Sequence, residues 1–468
     1  MQLDDPNSPF GRRRAGLLLH LTSLPSRHGI GDLGASAHAF CEFLAKTGQG
    51  LWQMLPTQPI GPGNSPYSAS SAFANEPLLI DLVDLADRGW LSSADLKAPA
   101  NLAKGDVDFA AVRAFKQPRL EKAFEGFRAK GGPRTKAFRK YCEREAAWLE
   151  PWCAFSGGEP ELHAFLQYAF DLQWRALRKR AKQLGVQLIG DLPIFVTLNS
   201  ADVFARPELF RLDKQGKPEV VSGCPPDGFN PSGQRWGHPH YRWAVHKREK
   251  YAWWLSRFER QLELFDGLRV DHFIGFHHAW EVPGRASTAK NGKWGKSHGR
   301  AILEELVGRF GAAPLIAEDL GSVSPAVIRL RDDYDLPGMK VLQFAFYGED
   351  SEHLPHRAPE RSVVYSGTHD NDTTQGWWKS LKAAEKKRCL AYTGGSAGTV
   401  HEDLIRLAWT SPARTAIAPV QDLLGLPRSA RFNRPGTASG NWKWRLAPGA
   451  LGATQARWLG QLTAVSAR

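Results

Sequence analysis

Gly16-Leu17-Leu18-Leu19-His20-Leu21-Thr22-Ser23-Leu24-Pro25-Ser26 is the stretch on which the fold turns. Its first six residues form a short apolar run, the mark of a strand buried on both faces. The five that follow decide between two α/β architectures. A doubly wound sheet that binds a dinucleotide carries a G-x-G-x-x-G loop after its first strand, where backbone N–H groups cradle phosphate. Thr22 to Ser26 has no such glycines. That leaves the other architecture made of repeated strand–helix units, the closed (β/α)8 barrel.

The alternation continues along the chain. Residues 36–46 read as a helix stopped by Gly48, and 51–55 as a strand. Residues 161–184 read as a long helix ended by Gly185, and 186–192 as the next strand. Helix 250–265 precedes strand 267–272, and helix 300–310 precedes strand 314–317. Helix 325–331, with Ser324 as its N-cap, precedes strand 340–345. Residues 362–366 and 415–419 are strands, with helices at 377–389 and 402–409 between them and a last helix near 450–462. This makes eight strands, near residues 17, 52, 188, 269, 315, 342, 364 and 416, the number that closes a barrel. The expected fold class is α/β, a (β/α)8 TIM barrel that takes residues 1–468 as one domain. Residues 57–160 and 193–249 are too long for simple loops. They are expected as subdomains, long helical and loop insertions on the C-terminal rim. No all-β stretch follows the last strand, so no C-terminal β-domain is expected.

Composition narrows the function. The 468 residues are 42% hydrophobic and 23% charged, with 45 Gly and 31 Pro, which excludes a disordered, collagen-like or coiled-coil chain. No apolar run approaches the roughly 20 residues that span a bilayer, and residues 16–21 are too few for a signal-peptide core. The expectation is a cytoplasmic protein with no membrane contact. Cys41, Cys142, Cys153, Cys224 and Cys389 show no C-x-x-C spacing, which argues against a disulfide framework or a zinc site. Lys and Arg number 61 against 48 Asp and Glu, a net charge of +13. The basic residues concentrate in two helical stretches, 116–144 and 175–182, the first mixed with Glu121, Glu125 and Glu143. That reads as solvated helix faces rather than a nucleic-acid track. The 17 Trp and 24 Phe include many beside Gly, Pro and Asn, where flat rings suit flat ligands such as sugars.

Four acidic residues fall at the C-terminal ends of expected strands: Asp191, Asp271, Glu318 and Asp370. In a barrel those ends meet at one mouth, where active sites lie. In Arg269-Val270-Asp271-His272 the i, i+2 spacing puts Arg269 and Asp271 on the same side of a strand. The guanidinium is expected to lower the carboxylate pKa and keep it ionised, as a glycosyl nucleophile requires. Taken alone, such a pair is more often a structural ion pair at a strand end. Glu318 follows the apolar Leu315-Ile316-Ala317 and precedes Asp319, a setting that raises a carboxyl pKa and suits a general acid; capping of the next helix is the other reading. Gly367-Thr368-His369-Asp370-Asn371 offers groups that can hold sugar hydroxyls, or a structural histidine. Tyr67 in Ser65-Pro66-Tyr67 and Trp236 in Arg235-Trp236-Gly237 read as sugar platforms or as packing. His277-His278 do not read as zinc ligands, and no metal or other cofactor is expected.

With those motifs in view, the chain resembles the amylomaltases, the 4-α-glucanotransferase or disproportionating-enzyme family. The likeness is carried by residues 16–34 (GLLLHLTSLPSRHGIGDLG), 52–56 (WQMLP), 65–67 (SPY), 190–196 (GDLPIFV), 225–227 (PPD), 269–273 (RVDHF), 316–321 (IAEDLG), 367–374 (GTHDNDTT), 433–436 (NRPG) and 441–445 (NWKWR). Their order and number make it specific. The resemblance implies a retaining transferase on a (β/α)8 barrel, with Asp271 as nucleophile, Glu318 as general acid/base and Asp370 as transition-state stabiliser. It implies that Arg269, His272 and His369 hold the sugar at the cleavage site, and that Tyr67, Asp191, Asp227, Trp236, Asp319 and Asn433 line a glucan groove. Departures at Cys224, Gly228, residues 74–77 and 277–279 bear on groove shape and leave the three carboxylates in place.

The implied reaction is double displacement on α-1,4-glucans, passing a segment to the 4-hydroxyl of glucose or a maltooligosaccharide. The partners are those sugars, not nucleic acid or membrane. Two alternatives stand beside it: an α-amylase-type hydrolase with the same carboxylates, and a sugar-binding protein without catalysis. Incubation with maltotriose separates the three. Glucose plus longer oligosaccharides is the expected result; only shorter sugars would mean hydrolysis, and no change would mean binding alone.

Overall fold

Twelve strands form among the described residues, 8–226, 230–311 and 313–468, of the computed structural model. They are β1 (Arg14–Leu18), β2 (Leu51–Gln53), β3 (Gln187–Pro193), β4 (Val220–Cys224), β5 (Gln234–Pro239), β6 (Gly267–Asp271), β7 (His278–Pro283), β8 (Lys293–Lys296), β9 (Leu315–Ala317), β10 (Gly338–Val341), β11 (Ser362–Tyr365) and β12 (Thr415–Pro419). Eight of them close a parallel barrel in the order β1-β12-β11-β10-β9-β6-β3-β2. These are the eight strands read from the alternation of apolar runs and helices. Every residue of β1, β9, β11 and β12 is buried. Their inner faces fill the barrel and helices cover their outer faces, which is why they read as unbroken apolar runs rather than alternating ones.

Helices Ala35–Lys46, Pro160–Gln183, Ala252–Leu264, Gly299–Phe310 and Pro325–Asp333 precede β2, β3, β6, β9 and β10. The last begins at Ser324, whose hydroxyl accepts from the Val327 N–H at 3.4 Å, as a cap should. Two expectations need correction. The strand placed over 340–345 ends at Val341 and tightens into the 3₁₀ turn Leu342–Phe344. There the Gln343 amide donates to the Asp372 carbonyl at 2.8 Å, a bond that holds the chain in the turn. No α-helix separates β10 from β11; a second 3₁₀ turn, Pro355–Arg357, stands there instead. The helix placed over 377–389 is two helices, Thr374–Ser380 and Ala383–Thr393. The second begins afresh where the Glu385 carboxylate accepts from the Lys382 N–H at 2.7 Å, satisfying a donor that a new helix start leaves without a partner.

The second insertion is not helix and loop alone: it contributes β4 and β5, which pair with β7 and β8 from the segment after β6. Strands β4, β5, β7 and β8 form an antiparallel sheet in the order β5-β4-β7-β8. Its strands are short, and Gly223, Gly237 and Gly295 interrupt them, so no apolar alternation marks them in sequence. Between β2 and β3 the chain passes through helices Leu82–Asp87, Phe109–Ala129 and Lys136–Ser156. Beyond β12 it runs through the one-turn helix Val420–Leu423, then turns and loops, to the helix Ala453–Val465. No helix among the described residues is long and apolar enough to cross a membrane.

One buried cation ties the first insertion to the barrel. Lys116, on helix Phe109–Ala129, is fully buried. Its ammonium donates to the carbonyls of Leu78 and Ile80, both at 2.6 Å, and lies 3.9 Å from Asp32 in the loop after β1. Asp32, His28 and Asp81 bring ligand-type atoms within 4.8 Å of one another, and the ammonium supplies positive charge beside them. Lys116→Met keeps the bulk of the side chain but strips two buried carbonyls of their donor and Asp32 of its counter-charge. Urea denaturation is expected to show a loss of about 3–5 kcal/mol, the range for breaking a buried charge pair from one side; a change under about 1 kcal/mol would contradict this role.

Candidate active site

Register places the site. β3 and β6 are neighbours, with Asp191 opposite Arg269 and Pro193 opposite Asp271. β6 and β9 are neighbours, with Arg269 opposite Ile316 and Val270 opposite Ala317. Glu318 is the next residue after β9, and its N–H donates to the Val270 carbonyl at 3.2 Å while its own carbonyl accepts from the Phe273 N–H at 3.1 Å. Three adjacent parallel strands therefore deliver Asp191, Asp271 and Glu318 to one point at their C-terminal ends.

Arg269 occupies that point. Its Nη1 donates to both Asp191 oxygens, at 2.9 and 2.7 Å, and to Asp271 Oδ1 at 3.1 Å. Its Nη2 lies 3.4 Å from Glu318 Oε2. The Arg269 and Asp191 side chains are 3% and 0% exposed, whereas those of Asp271 and Glu318 are 27% and 18% exposed. Asp191 is thus a counter-charge beneath the guanidinium, and Asp271 and Glu318 are the carboxylates open to a ligand.

One cation among several acids leaves an excess of negative charge. Burial and the charges of Glu318, Asp191 and Asp370 together push Asp271 well above the usual carboxylate range, although Arg269 pulls it down. The expectation of an Asp271 simply lowered by its arginine is corrected here: desolvation is the largest cause. Burial raises Glu318 to about 7, again against the pull of Arg269. Two carboxyls on one guanidinium titrate as a pair.

The chain bends sharply beside Asp271. His272 has φ 52°, a left-handed conformation that residues with a Cβ seldom adopt. The bend directs the His272 N–H at Glu318 Oε2. The His272 ring packs edge-on to Trp236 of β5, with centroids 4.8 Å apart. Its Nε2 is buried without a hydrogen-bond partner, and burial lowers its pKa to about 4, so the ring is neutral.

A second layer stands opposite. The Tyr67 hydroxyl donates to Asp191 Oδ2 at 2.7 Å and meets His369 Nε2 at 2.8 Å. A hydroxyl has one proton to give, so His369 Nε2 carries its own proton toward Tyr67. Burial lowers the His369 pKa, consistent with this neutral tautomer. Asp370 is 41% exposed; its Oδ1 accepts from Asn433 Nδ2 at 2.5 Å and lies 3.5 Å from His369 Nε2. Arg431 donates to the Asp370 carbonyl and to the Asn433 carbonyl, both at 2.7 Å. Arg269, Glu318, Asp370 and Asn433 all face one cleft of 1370 Å³.

Of the described residues given a site role from sequence, only those four line that cleft; Asp271, Asp191, Tyr67, His272, His369 and Trp236 join it through their contacts with them and with one another. Asp319 is 4% exposed, and its carboxylate accepts from Arg331 at 2.5 Å and from the Met339 N–H at 2.8 Å. It joins the end of β9 to β10 and does not line the groove, because both oxygens are taken. Asp227 lies outside the described residues. Sequence reasoning missed Arg431, whose two bonds to backbone carbonyls leave no motif. It also missed Phe344, Tyr347 and His353, which line the cleft from the 3₁₀ turn that had been read as strand and the loop beyond it.

A family profile described as 4-alpha-glucanotransferase matches residues 19–158 and 156–451. A 4-alpha-glucanotransferase of Thermus thermophilus is 45% identical over 94% of this chain and 96% of its own. The chloroplastic/amyloplastic 4-alpha-glucanotransferase of Arabidopsis thaliana is 38% identical over 94% of this chain and 82% of its own. Among solved structures, the amylomaltase from Streptococcus agalactiae in complex with acarbose superposes with a TM-score of 0.94 at 32% identity, covering 98% of this chain and 100% of the other.

The electrostatics can be read directly. The carboxyl band that disappears from the infrared spectrum in Glu318→Gln is expected to titrate near 7 in the parent protein. Asp191→Asn removes a negative charge that raises Glu318, so the same titration should move to lower pH. A Glu318 carboxyl titrating near the ordinary value of about 4.3 would contradict the crowding described.

Proposed function

The chain belongs to the 4-alpha-glucanotransferase family, and within it we propose that Asp271, Glu318 and Asp370 perform a retaining double displacement on α-1,4-glucans. Family membership sets the hydrolase and pure-binding readings aside. In the productive state the Asp271–Glu318 pair holds one proton. The mechanism requires it on Glu318, with Asp271 ionised against Arg269 at 3.1 Å. Asp271 attacks the anomeric carbon while Glu318 protonates the departing glycosidic oxygen. The donor's reducing-end fragment leaves, and a covalent glycosyl ester remains on Asp271. Glu318, now a carboxylate, takes the proton from the 4-hydroxyl of an acceptor sugar as that oxygen displaces Asp271, which gives net retention.

A single observation carries this reading: one guanidinium touches both carboxylates. Retaining enzymes hold the two carboxyls roughly 5–5.5 Å apart and inverting ones roughly 6.5–9.5 Å, with room for a water between. A shared cation favours the shorter spacing. Other roles follow the same geometry. Asp370, partly exposed and fixed by Asn433 and Arg431, stabilises positive charge developing on the ring. The unpartnered His272 Nε2 and the His369 ring take sugar hydroxyls. Trp236, held against His272, offers a sugar ring a flat face. Tyr67 and Asp191 keep His369 and Arg269 in place from behind. Transfer needs an acceptor to compete with far more concentrated water, so acceptor binding energy has to favour the sugar in the second step.

Three measurements test the proposal. Asp271→Asn and Glu318→Gln are isosteric; each should leave the melting temperature nearly unchanged and lower the maltotriose transfer rate by about 10²–10⁴-fold or more. Near-parental turnover in Asp271→Asn would remove it as nucleophile. Because Glu318 must carry a proton in the first step and its pKa is raised to about 7, kcat/KM should fall as pH rises through that value. In Glu318→Gln that alkaline limb should vanish from the residual rate. Trp236→Ala should raise KM for long glucans more than it lowers stability; an unfolded variant would mark Trp236 as packing.

A further inference from the structure

The opposite end of the barrel carries a second cavity, of 1100 Å³. Arg14, the first residue of β1, lines it, as do Gln187, the first of β3, and Asp266, just before β6. The catalytic carboxylates lie at the other end of the barrel, at or after the ends of β6, β9 and β11. The rest of its wall comes from the C-terminal half of helix Pro160–Gln183, the last turn of Ala252–Leu264, and Arg144.

Its charge is unbalanced. Six arginines and two lysines line it, against three carboxylates. The carboxylates already have partners: Asp171 takes Arg175 at 2.7 Å, Asp266 takes Arg178 at 2.9 Å, and Glu263 takes Arg260 at 3.3 Å. Two helix C-termini point at the same place, and basic residues there commonly offset the helix dipole. Glu145, just outside the wall, takes Arg144 at 2.6 Å and lies 3.6 Å from Arg260. Each helix terminus is worth only about half a negative charge. The eight cations of the lining still exceed these anions. Arg260 is only partly satisfied: its Nη1 lies 3.3 Å from Glu263 and 3.6 Å from Glu145. It is 4% exposed, one guanidinium face lies over Trp148 with a 4.8 Å separation, and its Nε and Nη2 have no acceptor. Crowding shows again in Arg14, which burial and the neighbouring Arg12 charge lower to about 10.

We infer that this basin on the underside of the barrel binds a compact polyphosphate anion. Arginine outnumbers lysine there, and its planar fork grips phosphate oxygens in pairs. The volume exceeds what one phosphate needs, and the surplus of cations asks for several closely spaced charges. An inorganic polyphosphate and a nucleoside triphosphate share that chemistry. Binding neutralises mutually repelling guanidiniums in the folded state only, so it stabilises the fold. The basin shares no residue with the catalytic cleft and stands independently of the roles given to Asp271 and Glu318.

The test is isothermal titration of the full chain at fixed ionic strength with tripolyphosphate, a nucleoside triphosphate and orthophosphate. Saturable one-site binding of tripolyphosphate at least tenfold tighter than orthophosphate is expected, with a rise in melting temperature. A nucleoside triphosphate binding more tightly still would assign the organic ligand; equal binding would assign phosphate chemistry alone. Arg175→Gln/Lys179→Gln/Lys182→Gln should weaken tripolyphosphate at least tenfold and leave maltotriose transfer unchanged. Lys382→Gln/Lys387→Gln, which removes two exposed charges outside the basin, should change neither. Should the triple variant melt early, the exposed Lys179→Glu carries the same test alone. No saturable binding, equal weakening in both sets of variants, or tighter variant-sensitive binding of a single-stranded oligonucleotide would overturn the inference.

Discussion

Burying a guanidinium in a protein interior costs several kcal/mol unless anions surround it closely. Arg269 meets that requirement by drawing Asp191, Asp271 and Glu318 onto its two terminal nitrogens. The same contacts that make the cation tolerable fix Glu318, which lines the cleft, and the partly exposed Asp271 beside it. They also leave more acid than base at the barrel mouth, so a proton is retained near neutral pH. A single electrostatic constraint thereby sets both the geometry of the candidate site and the protonation state it needs.

The constraint can be satisfied only by a closed parallel barrel in one register. Asp191 and Arg269 are opposite each other on β3 and β6. A slip of one residue would send one of them to the helix side of the wall. Behind this layer a second set of bonds limits movement. Tyr67 spans Asp191 and His369, and Arg431 holds the backbone on either side of the Asp370–Asn433 contact. The strain at His272 belongs to the same design, since the bend it imposes aims a backbone N–H at Glu318.

Much of this was legible in the sequence, for identifiable reasons. The eight barrel strands are apolar on both faces, so short hydrophobic runs separated by helices announced them. The i, i+2 spacing of Arg269 and Asp271 announced a shared face. The antiparallel sheet β5-β4-β7-β8 was not legible, because its strands are short and interrupted by glycine. The end of the strand at Val341 was hidden because Leu342-Gln343-Phe344 is as apolar as a strand, and only a side-chain bond to Asp372 turns it. Asp319 looked like a groove residue from its neighbours; its bonds to Arg331 and Met339 depend on a contact across β9 and β10 that local sequence does not encode. The pKa of Asp271 was misjudged because one visible cation was weighed against no desolvation.

The central claim is that Asp271 becomes covalently bonded to sugar while Glu318 manages the proton. The most direct measurement uses Glu318→Gln with an α-maltosyl fluoride, whose leaving group needs no acid, followed by mass spectrometry of the intact chain and its peptides. This account expects a maltosyl adduct that accumulates, because no base remains to activate the acceptor, and that maps to Asp271. An adduct on another carboxylate, or turnover of the fluoride with inversion and no adduct, would contradict it.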